Sequence, residues 1–339
     1  MYNTTTADVN SSLLCHDDVI DGPTLDLVSV LLHVGVNGVI ALWGVVANIL
    51  NIIVFKKQGT RESITISLLV LAVTDLLNCL FLLWESVCLN PLFLSAGLPF
   101  VARDIDHFTS VMPRGVSVRI SWWIITLTIL ERCLCIALPL KVKHIVTRRR
   151  TITALVTISL LTTAIMMPLW LSSRLTPQTQ GNRTVLARVP AANSKLLNDV
   201  SYFMNLVWQL GAYLLTIVCT AVMIRQLRSL TSWRCHGSHV TQRHVLRKLT
   251  SRDMRAAKAV TFVSCVYITC AFPSCVIFLL ELSLSCSQQN LYFLLWAVAF
   301  TLEAINSAVH IFIYYHFHII LQQVFGLIQA FVLVKKTIE

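Results

Sequence analysis

The sequence predicts an all-α membrane protein: a seven-transmembrane helix bundle with the N-terminus outside, the C-terminus inside and a short amphipathic C-terminal helix. Three observations predict it. Of 339 residues, 56% are hydrophobic and only 13% charged, with a mean hydropathy of +0.72. A soluble domain of that length would expose far too much apolar surface. Seven stretches are long and apolar enough to cross a bilayer: about Leu27–Phe55, Ser63–Trp84, Asp106–Ala137, Thr153–Leu171, Val200–Ile224, Ala259–Leu280 and Asn290–Tyr315. Finally, the basic residues gather in alternate loops. That bias fixes orientation and requires an odd number of spans.

Residues 1–26 form the outer N-terminal segment. They hold no Lys or Arg but carry Asp8, Asp17, Asp18, Asp21 and Asp26. The glycosylation acceptors Asn3, Asn10 and Asn182 all fall on the side predicted to be outside. With no basic n-region at the start, no cleaved signal peptide is expected. The bundle then occupies residues 27–315, and residues 316–339 form the inner amphipathic helix and tail. The inner loops hold Lys56, Lys57 and Arg61, then Lys141, Lys143 and Arg148 to Arg150, then the basic run from Arg225 to Lys258. The outer loops hold only Arg103, Arg174, Arg183, Arg188 and Lys195. The net charge of +11 therefore follows the membrane and points to the lipid bilayer, not to nucleic acid.

Within the helices, polar residues mark the places where packing must compensate them. Helix one carries Asn48 after Ala47, and helix two carries Asp75 in Leu71-Ala72-Val73-Thr74-Asp75. A carboxylate at that depth must be protonated, paired or cation-bound. Helix three carries Arg114 and Arg119 and ends on Glu131-Arg132. Arg114 stands about 27 Å above Arg132 at about 1.5 Å per residue, and Arg119 points about 140° away from it around the helix. Either Glu85 or Glu303 neutralises Arg114, or a ligand does, since a guanidinium grips a carboxylate bidentately. Helix six contains Pro273, which predicts a kink. Helix seven has no proline and needs none of the bending that proline brings.

Cys235, His236, His239 and His244 do not match the spacing of a closed zinc site. The sequence contains no His-Glu-x-x-His, no Gly-x-Ser-x-Gly and no phosphate loop, so an enzyme is not expected. It has no internal repeat of the kind that builds many transporters.

The stretch Glu131-Arg132-Cys133, followed by Pro139-Leu140, resembles the end of the third helix in the rhodopsin-like G-protein-coupled receptors, with cysteine in place of the usual tyrosine. Leu71-Ala72-Val73-Thr74-Asp75, Cys270-Ala271-Phe272-Pro273 and Tyr314 resemble further motifs of that family in the right order. The resemblance implies an extracellular ligand and a heterotrimeric G protein as partners, with Glu131, Arg132 and Tyr314 at the coupling end. It also implies a polar core of Asn48, Asp75, Ser121, Asn306 and Ser307. That core either holds an allosteric sodium ion as its one cofactor or forms a hydrogen-bonded knot without one. The ligand pocket it implies draws on Arg114, Arg119, Glu85, Tyr267, Phe272 and Glu303.

The chain also departs from the family. Ala271 replaces the usual tryptophan, leaving Tyr267 and Phe272 as the nearest bulky residues. His310 begins the segment where relatives have Asn-Pro. His107 stands where relatives carry the helix-three cysteine, so the usual disulfide to the second outer loop cannot form. A Cys15–Cys286 bridge is one pairing left open. Residues Glu131 to Lys143 look most like a group of gastropod mollusc receptors described as chemosensory, themselves similar to peptide receptors. The expected function is chemosensory reception of a small molecule, in one version anionic. The alternatives are a neuropeptide receptor and a non-signalling seven-helix partner subunit.

Overall fold

The computed structural model describes residues 27–59, 62–137, 145–180, 183–235, 251–280 and 289–317. Asn3, Asn10 and Asn182, Pro139-Leu140, the Cys15–Cys286 pairing, His236 to His244 and the tail beyond residue 317 lie outside the described residues.

Seven long helices make up the bundle. They are α1 Leu27–Gln58, α2 Ser63–Cys88, α3 Met112–Ala137, α4 Arg148–Leu171, α5 Ser194–Cys235, α6 Ser251–Leu280 and α7 Gln289–Phe317. α1 contains a π-helical segment at Leu31–Val36, and a second, His107–Val111, leads into α3. Among the described residues six helices are long and apolar enough to cross a membrane, and α3 is not one of them. It carries Arg114, Arg119, Glu131 and Arg132, and it touches α2, α4, α5 and α6. Protein surrounds it on several sides, which is where charged groups at membrane depth are tolerated.

The ring closes through α1 against α2 and α7, α4 against α5, and α6 against both α5 and α7. Leu42, Leu160, Phe203 and Phe312 stand exposed on the outer faces. Such apolar side chains suit hydrocarbon contact in a bundle whose backbone polar groups are satisfied within each helix. The inner seam is filled by Leu71, Trp122, Ile124, Ile125 and Tyr267, all nearly inaccessible.

Three features extend or correct the sequence reading. α5 has 42 residues and so runs about 63 Å, roughly twice the hydrocarbon thickness. The expected span Val200–Ile224 is only its apolar middle, because hydropathy ends where the lipid ends while backbone hydrogen bonding continues. α7 is unbroken over 29 residues, as the missing proline implies. The second outer loop forms an antiparallel hairpin, β1 Ser173–Gln180 and β2 Arg183–Pro190, which the sequence reading did not anticipate. Backbone pairing ties it down: Leu186 N–H donates to Pro99 O at 2.9 Å and Val101 N–H donates to Leu186 O at 2.9 Å. The N–H of Arg188 donates to Asp104 Oδ2 at 2.9 Å. The first and second outer loops are thus held together without a disulfide.

Candidate functional site

At the outer end of the bundle Arg114 is sealed between two acids. Its Nε lies 3.2 Å from Glu85 Oε2, its Nη1 lies 3.6 Å from Glu303 Oε2, and it is 2% exposed. These are ion contacts that fall short of hydrogen-bond geometry. The face of Phe300 covers the guanidinium at 4.1 Å from the ring centroid. The carboxylates are held in turn, Glu85 by His33 Nδ1 at 2.9 Å and Glu303 by Ser274 Oγ at 2.8 Å. Both acids suggested as partners in the sequence therefore engage Arg114 together. The charge of Arg114 is thus met by two carboxylates of the chain itself.

Arg119 is placed differently. It lines a cavity of about 790 Å³ reached by α3, α4, α5, α6, α7 and the hairpin, with His107, Arg188, Asn205, Phe278 and Trp296 also on its wall. Its Nη1 donates to Gly115 O at 3.0 Å, its guanidinium carbon sits 5.8 Å from the Phe278 ring centroid, and its Nε has no hydrogen-bond partner. Asn205 is 3% exposed; its amide donates to Ser201 O at 2.8 Å, while its Oδ1 is unpartnered. Tyr202 Oη donates to Phe278 O, and Phe278 meets Trp296 edge-on at 5.1 Å. The wall thus combines two guanidinium groups, the Asp199 carboxylate, an amide oxygen with no hydrogen-bond partner among the described residues and edge-on aromatics.

Of the six residues expected in the pocket, only Arg119 lines this cavity. Arg114, Glu85 and Glu303 form the separate network beside it. Tyr267 is fully buried, 5.7 Å from Trp122 and 6.2 Å from Tyr213. These three rings fill the seam at the level where relatives place a tryptophan at the position of Ala271. Phe272 does not join them; it is 56% exposed, because one residue further along α6 turns the side chain out of the bundle. Asn205, Phe278 and Trp296 were not singled out in the sequence. Neutral amide and aromatic side chains are common in membrane helices, and only helix rotation distinguishes a wall from a lipid face.

In the middle of the bundle Asp75 is completely buried. Ser121 Oγ donates to its Oδ1 at 2.9 Å and lies 2.8 Å from Thr74 Oγ1. His310 Nδ1 lies 2.9 Å from its Oδ2. A hydrogen bond there needs one proton, on the ring nitrogen or on the carboxyl oxygen. Asn48 donates to Gly44 O and Ser307 O, each at 3.0 Å, and Asn78 donates to Ser307 Oγ at 2.9 Å. Asn306 is buried, and its Oδ1 has no partner among the described residues. The donor set does not fit a sodium ion. A hard cation seeks a shell of free oxygen atoms, yet both Asp75 oxygens are already engaged, Oδ1 by the Ser121 hydroxyl and Oδ2 by a ring nitrogen. His310 was noticed in the sequence only as a damaged motif; its distance of 235 residues from Asp75 hid the pairing.

At the inner end Glu131 turns away from its neighbour. Ser63 Oγ donates to its Oε1 and Oε2 at 3.0 and 3.1 Å, and Thr151 Oγ1 donates to Oε1 at 2.6 Å. Two hydroxyls, from α2 and α4, occupy the carboxylate, and among the described contacts it makes no ion pair with Arg132. Arg132 Nε has no hydrogen-bond partner among the described residues. Tyr314 is buried, packs edge-on to Phe55 at 5.2 Å and leaves its hydroxyl unpartnered.

No curated protein gives a match to the chain. The family model described as 7 transmembrane receptor (rhodopsin family) matches residues 47–314, from the polar turn of α1 to Tyr314. With six apolar membrane-length helices packed about a charged α3, the chain belongs to the rhodopsin family of seven-transmembrane receptors, multi-pass proteins of the plasma membrane.

Proposed function

We propose that the chain is a chemosensory receptor for an extracellular small molecule carrying an anionic group, and that it signals through a heterotrimeric G protein. The observation that carries this reading is Arg119. It is a cation on the wall of the cavity whose Nε has no hydrogen-bond partner among the described residues. A guanidinium so placed matches a carboxylate or phosphate bidentately. Asn205, with its free amide oxygen, supplies an acceptor for an N–H or O–H of the same ligand. Arg132, whose adjacent Glu131 is engaged by Ser63 and Thr151, is the residue we assign to the G protein, and Tyr314 is assigned to the same coupling end.

The test is G-protein recruitment in cells expressing the chain, against a panel of small carboxylates, small phosphates and short acidic peptides. An anionic agonist is expected to lose potency by about 100-fold or more in Arg119→Leu, in line with a removed partner of a buried charge pair. Arg119→Lys recovers part of that loss. In Arg132→Ala, recruitment disappears while surface expression is kept. A potency unchanged by Arg119→Leu refutes the anion reading. A response confined to peptides favours a neuropeptide receptor. Failure of every ligand to recruit a G protein favours a non-signalling partner subunit.

A further inference from the structure

Asp75 lies in the interior of the bundle, where an uncompensated carboxylate is expensive. Its compensation comes from three helices. Ser121 of α3 donates to Oδ1, Thr74 of α2 shares the Ser121 hydroxyl, and His310 of α7 sets its Nδ1 2.9 Å from Oδ2. His310 is 1% exposed, and its ring stacks toward Tyr314 with centroids 6.1 Å apart. It follows Asn306 by one helical turn and so shares its face of α7. Asn306 itself makes no contact with Asp75 that uses its carbonyl oxygen, which is left without a partner. Ser307 Oγ is engaged by Asn78, and the Ser307 carbonyl by Asn48. Both Asp75 oxygens and the Ser307 hydroxyl are thus already engaged, while Asn78 Oδ1 and Asn306 Oδ1 have no hydrogen-bond partner among the described residues.

We propose that the His310 side chain takes the place of a core cation: it clamps α7 directly to Asp75 of α2, and sodium is not bound there. The clamp is independent of whatever ligand the outer cavity takes. It also follows that α7 cannot move away from α2 at this level without breaking a buried imidazole–carboxylate contact. In this chain that contact restrains an α7 that is continuous from Gln289 to Phe317 and contains no proline. Replacing the imidazole by an asparagine side chain removes the ring nitrogen from Oδ2 and adds a carbonyl oxygen, which turns the donor set toward a hard cation.

The experiment uses the full chain purified in detergent, melted in sodium chloride and in choline chloride at equal ionic strength, with sodium-23 NMR line broadening as a second readout. The wild type is expected to melt at the same temperature in both salts and to give no broadening beyond that of Asp75→Asn. His310→Asn is expected to gain a sodium-specific rise in melting temperature and sodium-23 broadening, both lost in the His310→Asn/Asp75→Asn double variant. His310→Gln, which also offers a carbonyl oxygen, serves if the asparagine variant cannot be purified. Sodium-specific stabilisation of the wild type that disappears in Asp75→Asn overturns the proposal. So does a lack of any sodium response in both His310 variants, because the histidine is then not what keeps the ion out.

Discussion

Arg114 and Arg119 lie five residues apart on α3, a separation that turns their side chains about 140° from one another. That rotation separates their roles. Arg114 faces α2 and α7 and meets Glu85 and Glu303; Arg119 faces the cavity. In the sequence Arg114 was the stronger ligand candidate, because it stands nearer the outer surface. Depth was readable there, but direction relative to the acids was not. The consequence is testable. Arg114→Leu strands two buried carboxylates, at a cost of about 3–5 kcal/mol when a buried charge loses its partner. Surface expression, measured with an extracellular epitope tag, is expected to fall sharply. Adding Glu85→Gln and Glu303→Gln to Arg114→Leu removes the stranded charge, so expression is expected to recover in part. Undiminished expression of the single variant would mean that the network does not hold the outer end of the bundle.

Between elements, the closest approach that depends on a small residue is α1 against α2 and α7 at Gly44. A Cβ added there would lie 2.4 Å from Cys79 Sγ and 3.4 Å from Ala308 Cβ. Small residues at such crossings let membrane helices pack closely. Here the approach also brings Asn48 within reach of the Ser307 carbonyl. Gly44→Ala forces the thiol to shift, and overpacking of this kind costs about 1–3 kcal/mol. A lower melting temperature of the purified protein is expected. Cys79→Ala in the same chain removes the Sγ and leaves ordinary contacts of 3.4 Å to the Ala308 Cβ and 3.5 Å to the Cβ of residue 79, so the double variant is expected to melt above the single. No difference between single and double variants would show that the crossing has room to spare. The hairpin over the cavity carries a related lesson. The sequence showed that no cysteine was available to staple it. It did not show that Phe100 pairs with Leu186 instead, because that bond joins backbone groups whose residue types carry no signal.

For the molecule as a whole, the loop charge bias makes orientation an expected outcome. An epitope at residue 2 should label on intact cells, and one at residue 339 only after permeabilisation. The reverse pattern would overturn the assignment of outer and inner faces. The number of long helices, their order and the positions of the membrane-depth charges were legible in the sequence. These follow from hydropathy and charge along one dimension, where each helix satisfies its own backbone. α3, which carries four charges and is not among the apolar membrane-length helices, was legible for another reason: its motif and its place in the order marked it. Partnership was not legible. Glu131 bonds Ser63 and Thr151 and not the adjacent Arg132, Asp75 is met by His310 from α7, and Arg119 rather than Arg114 opens on the cavity. Each of these depends on how far a helix is rotated about its own axis and how deep it sits against its neighbours. The sequence specifies those variables only through the packing of all seven helices at once, so the tertiary structure alone decided them.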